Sequence, residues 1–200
     1  MNTATICNEF TDSNELLSQL PPAVTIFGSA RIAPSHPEYL RTERLARLLS
    51  DSGFSVFSGG GPGIMEAANK GAFAGKSPTV GMNIILPHEQ KANPYQDITL
   101  TFENFPPRKA MLVNHSFAFV VMIGGFGTLD ELFETLTLIQ TRKIQPCPVV
   151  LVGKAFWQGL LDWLREQLLT QNLIHADDFD LIYVLDDEDE IIKTIQQFKP

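Results

Sequence analysis

Apolar residues along this chain arrive in two rhythms: short unbroken runs, and longer stretches in which they recur every third or fourth position. The first rhythm belongs to strands covered on both faces, the second to helices that bury one side. Residues 24–28 form a short β-rich run, residues 38–52 place Leu40, Leu45, Leu48 and Leu49 at helical spacing, and residues 54–58 make the next strand. That sequence of elements is a βαβ unit. A helix follows the glycines at 59–63, then a strand at 79–85, a proline-bearing loop at 86–97 and a strand at 98–103. Pro106 and Pro107 open a helix that runs to about residue 114, where missing amide hydrogens cost nothing. A continuous apolar strand at 117–123 and an amphipathic helix at 128–141 come next. A strand at 148–152, a helix near 156–170, a strand at 181–185 and a helix near 188–198 complete the pattern.

Alternation of this kind predicts an α/β fold: a Rossmann-like three-layer sandwich around a mainly parallel sheet. It is read as a single nucleotide-binding domain over residues 21–200, preceded by a polar N-terminal arm at 1–20. Two of its strands run straight into glycines. Ser58-Gly59-Gly60-Gly61-Pro62-Gly63-Ile64-Met65-Glu66 joins one strand to a helix, and Gly124-Gly125-Phe126-Gly127-Thr128-Leu129-Asp130-Glu131 joins another. Such turns let backbone approach a ligand closely, and the first amides of the following helix favour an anion. In this architecture ligands sit beyond the carboxyl ends of the strands, where Gly28-Ser29 and both loops converge. The second loop has a plainer reading as well, because Thr128 and Glu131 have the spacing of a capping box. Neither loop ends in the Gly-Lys-Ser/Thr of a P-loop, which disfavours magnesium-dependent nucleoside-triphosphate hydrolysis.

Charge and rarer residues narrow the chemistry. A net charge of -8 argues against general affinity for nucleic acid or anionic membranes, so a phosphate would be held locally. Two cysteines, Cys7 and Cys147, are too few for a disulfide framework or a thiolate zinc site, and a reducing cytoplasm is the expected compartment. His36, His88, His115 and His175 have no metal-ligand spacing, so no metal or other cofactor is expected. No targeting segment and no apolar run of membrane-spanning length stands out. Arg108 and Lys109, in the first turn of their helix, are either a solvated pair or cations aimed into the cleft. Glu66 and Glu131 are the matching acids, each early in a helix behind a glycine loop; for Glu66 the helix dipole alone is sufficient reason.

Taken together these residues resemble a known family. Gly-Gly-x-Gly-Thr-x-x-Glu, with Arg-Lys in the helix before its strand and a Gly-Gly-Gly-x-Gly-x-Met loop upstream, is similar to the LOG family, the cytokinin riboside 5′-monophosphate phosphoribohydrolases often labelled "lysine decarboxylase-like". The match runs from about residue 24 to residue 144. The Gly-Pro-Gly-Ile-Met-Glu-Ala-Ala-Asn form and the stretch from Glu89-Gln90 to Asn93-Pro94-Tyr95 resemble the longer bacterial subgroup. Where the family motif usually begins with proline, this chain has Ile123.

The resemblance implies hydrolysis of the N-glycosidic bond of a purine nucleoside 5′-monophosphate, AMP or an N6-substituted AMP, to free base and ribose 5-phosphate. It implies Arg108 and Glu131 as the catalytic pair and Gly124, Gly125, Gly127 and Thr128 on the phosphate; Gly28, Ser29, Gly60, Gly61, Glu66 and Lys109 are expected as further substrate contacts from their places around the same cleft. It also implies a homodimer or larger homo-oligomer, for which Leu132, Phe133, Leu136 and Ile139 are either core or contact. The chemistry of the residues is compatible. Loss of a purine leaves oxocarbenium-like charge on the ribose that a carboxylate stabilises, whereas a guanidinium orients rather than donates a proton. No lysine stands out for the Schiff base a decarboxylase would need. The rival from another class is a non-catalytic nucleotide or molybdenum-cofactor carrier on the same fold.

Overall fold

The computed structural model of the chain describes residues 3–87 and 91–199; His88, Glu89 and Gln90, in the loop at 86–97, lie outside the described residues. The strands are β1 (Ala23–Phe27), β2 (Ser55–Ser58), β3 (Thr79–Ile84), β4 (Ile98–Phe102), β5 (Ser116–Val121), β6 (Val149–Leu151) and β7 (Ile182–Val184). They form one sheet in the order β4-β3-β2-β1-β5-β6-β7, every neighbouring pair parallel. The helices are α1 (Thr3–Leu17), α2 (Pro37–Asp51), α3 (Ile64–Phe73), α4 (Phe105–Asn114), α5 (Phe126–Gln140), α6 (Lys154–Trp163) and α7 (Glu188–Gln197). A π-helical stretch, Leu164–Leu169, continues α6.

Strand side chains point to alternate faces, and two apolar layers result. Val24 and Ile26 of β1, Val56 of β2 and Ala118 and Val120 of β5 pack with Leu45 and Leu49 of α2, Ile64 and Ala68 of α3 and Ile191 and Ile195 of α7. Their neighbours Phe27, Phe57, Phe119 and Val121 face the other way, against Leu17 of α1, Met111 and Leu112 of α4, Leu132 of α5 and Trp157 and Leu161 of α6. The central strands are buried along their whole length, which is why they read as unbroken apolar runs. Each fully buried large side chain contributes on the order of 1.5–3 kcal/mol. The edge strand β4 alternates half-buried and exposed positions, as one open side requires.

Two expectations are corrected by the backbone. Within the stretch read as a polar arm, residues 3–17 are helical, bury Ser13 and Leu17, and pack on α4. Glu9 there accepts a hydrogen bond from the Glu103 amide at 2.5 Å. So sparse an apolar face carries little periodic signal, and the helix owes its order to packing. The helix after the second glycine loop starts at Phe126 with Gly125 as its cap residue, not at Thr128, so the Thr128 and Glu131 capping box does not form. Among the described residues no helix is long and apolar enough to cross a membrane.

Candidate active site

The chain runs from β1 outward through β2, β3 and β4, then crosses back to place β5 on the other side of β1. Where strand order reverses, the loops leaving β1 and β5 diverge and open a crevice at their carboxyl ends. Backbone hydrogen bonds fix its walls: the Ser29 amide donates to Ile123 O at 3.1 Å, and the Ile64 amide at the start of α3 donates to Ser29 O at 2.9 Å. The cleft above them has a volume of about 550 Å³, within the size range of small-molecule sites. Its lining includes Gly28, Ser29 and Arg31 from the β1 loop, Arg108 and Lys109 from α4, and Gly125, Gly127, Thr128 and Glu131 from α5.

At its floor Arg108 Nη1 donates to Glu131 Oε1 at 3.3 Å, with the two side chains only 7% and 15% exposed. Arg108 is also anchored by Nε, which donates to Met82 O on β3 at 2.7 Å. The solvated-pair reading of Arg108 is thereby overturned. Burial pushes the Glu131 carboxyl up to about 7 against the pull of Arg108, with Asp130 adding to the rise and Lys109 opposing it. A carboxyl that titrates near neutral pH, fixed beside a permanent cation, is suited to charge stabilisation or proton handling. Lys109 is placed differently. Its ammonium lies 3.0 Å from Asp130 and 2.9 Å from Glu134. Burial alone would lower its pKa, but its interactions with Glu134 and Asp130, which accept from the ammonium, outweigh that and the net shift is upward.

The two glycine loops have different jobs. In α5 the first intrahelical bond runs from the Leu129 amide to Gly125 O, so the amides of Phe126, Gly127 and Thr128 precede it and point out of the helix end. A Cβ added at Gly125 or Gly127 would meet nothing within 4 Å, and neither residue has a positive φ. The fold itself does not require glycine at either place; open space before helix-end amides is what a bound anion requires. The loop after β2 is instead committed to the protein. Gly60 O accepts from the Asn93 amide at 2.9 Å, from Asn93 Nδ2 at 3.0 Å and from Gln96 Nε2 at 2.9 Å, while Gly61 O accepts from Asn93 Nδ2 at 3.1 Å. Gly60 takes a φ of +73°, and a Cβ there would overlap the Asn83 amide.

Of the residues singled out in the sequence, Gly28, Ser29, Arg108, Lys109, Gly125, Gly127, Thr128 and Glu131 are brought together. Gly124, Gly60, Gly61 and Glu66 do not line the cleft. Gly124 packs on the Thr128 side chain, and Glu66, in the first turn of α3, accepts from the buried Tyr39 hydroxyl at 2.7 Å. Sequence reasoning missed Arg31, Met65, Ile84, Leu86, Phe105, Phe126 and Asp130, all of which line the cleft. Arg31 was detectable two positions beyond Ser29, whereas the apolar wall is indistinguishable from core in a sequence.

Residues 65–195, more than half of the chain, match the protein family described as "Possible lysine decarboxylase". The cytokinin riboside 5′-monophosphate phosphoribohydrolase of Mycobacterium marinum is 28% identical over 179 residues, 88% of this chain and 95% of that protein. The Arabidopsis thaliana cytokinin riboside 5′-monophosphate phosphoribohydrolase LOG1 is 26% identical over 148 residues, 72% of this chain and 68% of that one. Among solved structures, the molybdenum cofactor binding protein of Rippkaea orientalis aligns with a TM-score of 0.67 at 21% identity, covering 90% of this chain and 98% of that one, a likeness of fold. By the family match, and by the relatives that share it, the chain belongs to the LOG family.

Proposed function

We propose that this protein hydrolyses the N-glycosidic bond of a purine nucleoside 5′-monophosphate, AMP or an N6-substituted AMP, releasing the free base and ribose 5-phosphate. The observation that carries the reading is the buried Arg108–Glu131 pair facing the bare helix end at Gly125–Thr128 across one cleft. A phosphate on the α5 amides would place a ribose over the pair. Ionised Glu131 would then stabilise positive charge at the anomeric carbon, or take a proton from the attacking water. A guanidinium is a poor proton donor, so the role of Arg108 is to orient Glu131 and the substrate. The apolar wall of Met65, Ile84, Leu86 and Phe105 is the side of the cleft suited to a base.

The decarboxylase activity in the family's description would need a lysine free to form a Schiff base. Lys109, the lysine in the cleft, is paired with two carboxylates and held protonated. A homo-oligomer would draw on the exposed Phe133 of α5 rather than on Leu132, which belongs to the core. A cytoplasmic setting suits the thiols, Cys147 being buried with its pKa pushed up to about 12. The test is incubation with a panel of nucleoside monophosphates followed by chromatography. Base release from a purine monophosphate supports the proposal; bound but unaltered nucleotide would favour the carrier.

A further inference from the structure

Arg108 has a long, flexible side chain, and the proposed chemistry needs its guanidinium at one place. Three separate elements surround that group. Its Nε donates to Met82 O on β3 at 2.7 Å, and its Nη1 donates to Glu131 on α5 at 3.3 Å. Its third nitrogen, Nη2, lies against the bare Cα of Gly59, just past the end of β2, where a Cβ would overlap it and would come 2.5 Å from the Met65 sulfur. Among the described residues Nη2 has no hydrogen-bond partner. Gly59 is not one of the glycines with positive φ, so its backbone is open to any residue. The Arg108 guanidinium and the Met65 sulfur are what exclude a side chain, and the guanidinium is the nearer of the two.

We infer that Gly59 is a positioning residue for Arg108, the floor of a socket that holds the guanidinium in register with Glu131. The first glycine loop is therefore an arginine seat and not a second phosphate site. One of its amides and two of its carbonyls are spent within the protein: the Gly60 amide donates to Ser58 Oγ at 3.0 Å, and the carbonyls of Gly60 and Gly61 accept from Asn93 and Gln96. The importance of Arg108 to catalysis rests on the proposed function; the seat itself does not.

The test is a mutant cycle of Gly59→Ala, Arg108→Lys and both together. Lysine keeps the charge and lacks Nη2, so it removes the group that Gly59 accommodates. Gly59→Ala alone should lower kcat for AMP by about a hundredfold with little change in KM, the cost of a misplaced catalytic group. In the Arg108→Lys background the same alanine should cost almost nothing further, as expected of two residues that act as one. An equal loss in both backgrounds, or a raised KM at normal kcat, would overturn the socket and return the loop to substrate binding. If Gly59→Ala does not fold, rescue of folding by Arg108→Lys supports the inference and an unfolded double variant contradicts it. An activity-independent readout is the NMR signal of the Arg108 Nε–H, assigned by its loss in Arg108→Lys. That signal should shift or broaden in Gly59→Ala, and an unchanged signal sinks the idea. If the wild-type protein releases no base, the proposed function fails, and the NMR signal still decides the socket.

Discussion

Glu131→Gln separates the cost of Glu131 to the fold from its use to the reaction. Burial raises the carboxyl from an ordinary 4.5 to about 7, so between those values the folded protein keeps a proton that the unfolded chain has released. Stability must therefore fall as pH rises through that window, with the full penalty reached above about pH 7. At about 1.4 kcal/mol per pH unit the penalty is about 3 kcal/mol, a large share of the roughly 5–15 kcal/mol that holds a domain together. Glutamine keeps the shape and an acceptor for Arg108 but does not titrate. Denaturant unfolding of both proteins at about pH 5 and about pH 8 should show the variant gaining about 3 kcal/mol on the wild type at the higher pH. Other carboxylates titrate alike in both proteins and cancel from the comparison. Turnover of AMP should meanwhile fall about a hundredfold or more with binding retained, as for an interaction made in the transition state. Parallel stability curves would refute the burial argument, and near-normal turnover would refute the catalytic one.

Gly127→Ala should slightly stabilise the protein, by up to about 1 kcal/mol, because alanine suits a helix and its Cβ meets nothing, yet it should raise KM for AMP; steady-state kinetics with an unchanged KM would remove the phosphate from that loop. Adenosine should be a far poorer substrate than AMP, since each charge-assisted hydrogen bond to the phosphate is worth about 1.5–3 kcal/mol; equal kcat/KM for the two would contradict the assignment. EDTA should leave turnover unchanged, because among the described residues no cluster of His, Cys, Asp and Glu could hold a metal ion; inhibition that added metal reverses would require a different mechanism.

Much of this was legible in the sequence because helix and strand periodicities rarely mislead when strands are buried on both faces. The runs at 54–58 and 117–123 differ from β2 and β5 by a residue or two at their ends. The pairing of Arg108 with Glu131 was legible only as a resemblance, since the residues are 23 apart and sit on different helices, α4 and α5. Burial was not legible at all: nothing in the string Pro-Pro-Arg-Lys tells that the arginine turns inward while the lysine is held by carboxylates nearer the surface. The glycine loops looked alike on paper, and only the neighbours of each missing Cβ distinguish a seat for protein groups at Gly59 and Gly60 from open space at Gly125 and Gly127. The helix at Thr3–Leu17 escaped because tertiary contact with α4, and not its own pattern, makes it fold.

The most direct test of the central claim is the stoichiometry of products from AMP, measured by mass spectrometry on the wild-type protein and on Glu131→Gln in parallel. Wild type should give adenine and ribose 5-phosphate in equal amounts as AMP disappears, with the variant slower by about a hundredfold or more. Adenosine and inorganic phosphate as products, or AMP recovered intact from a protein that binds it, would contradict the account.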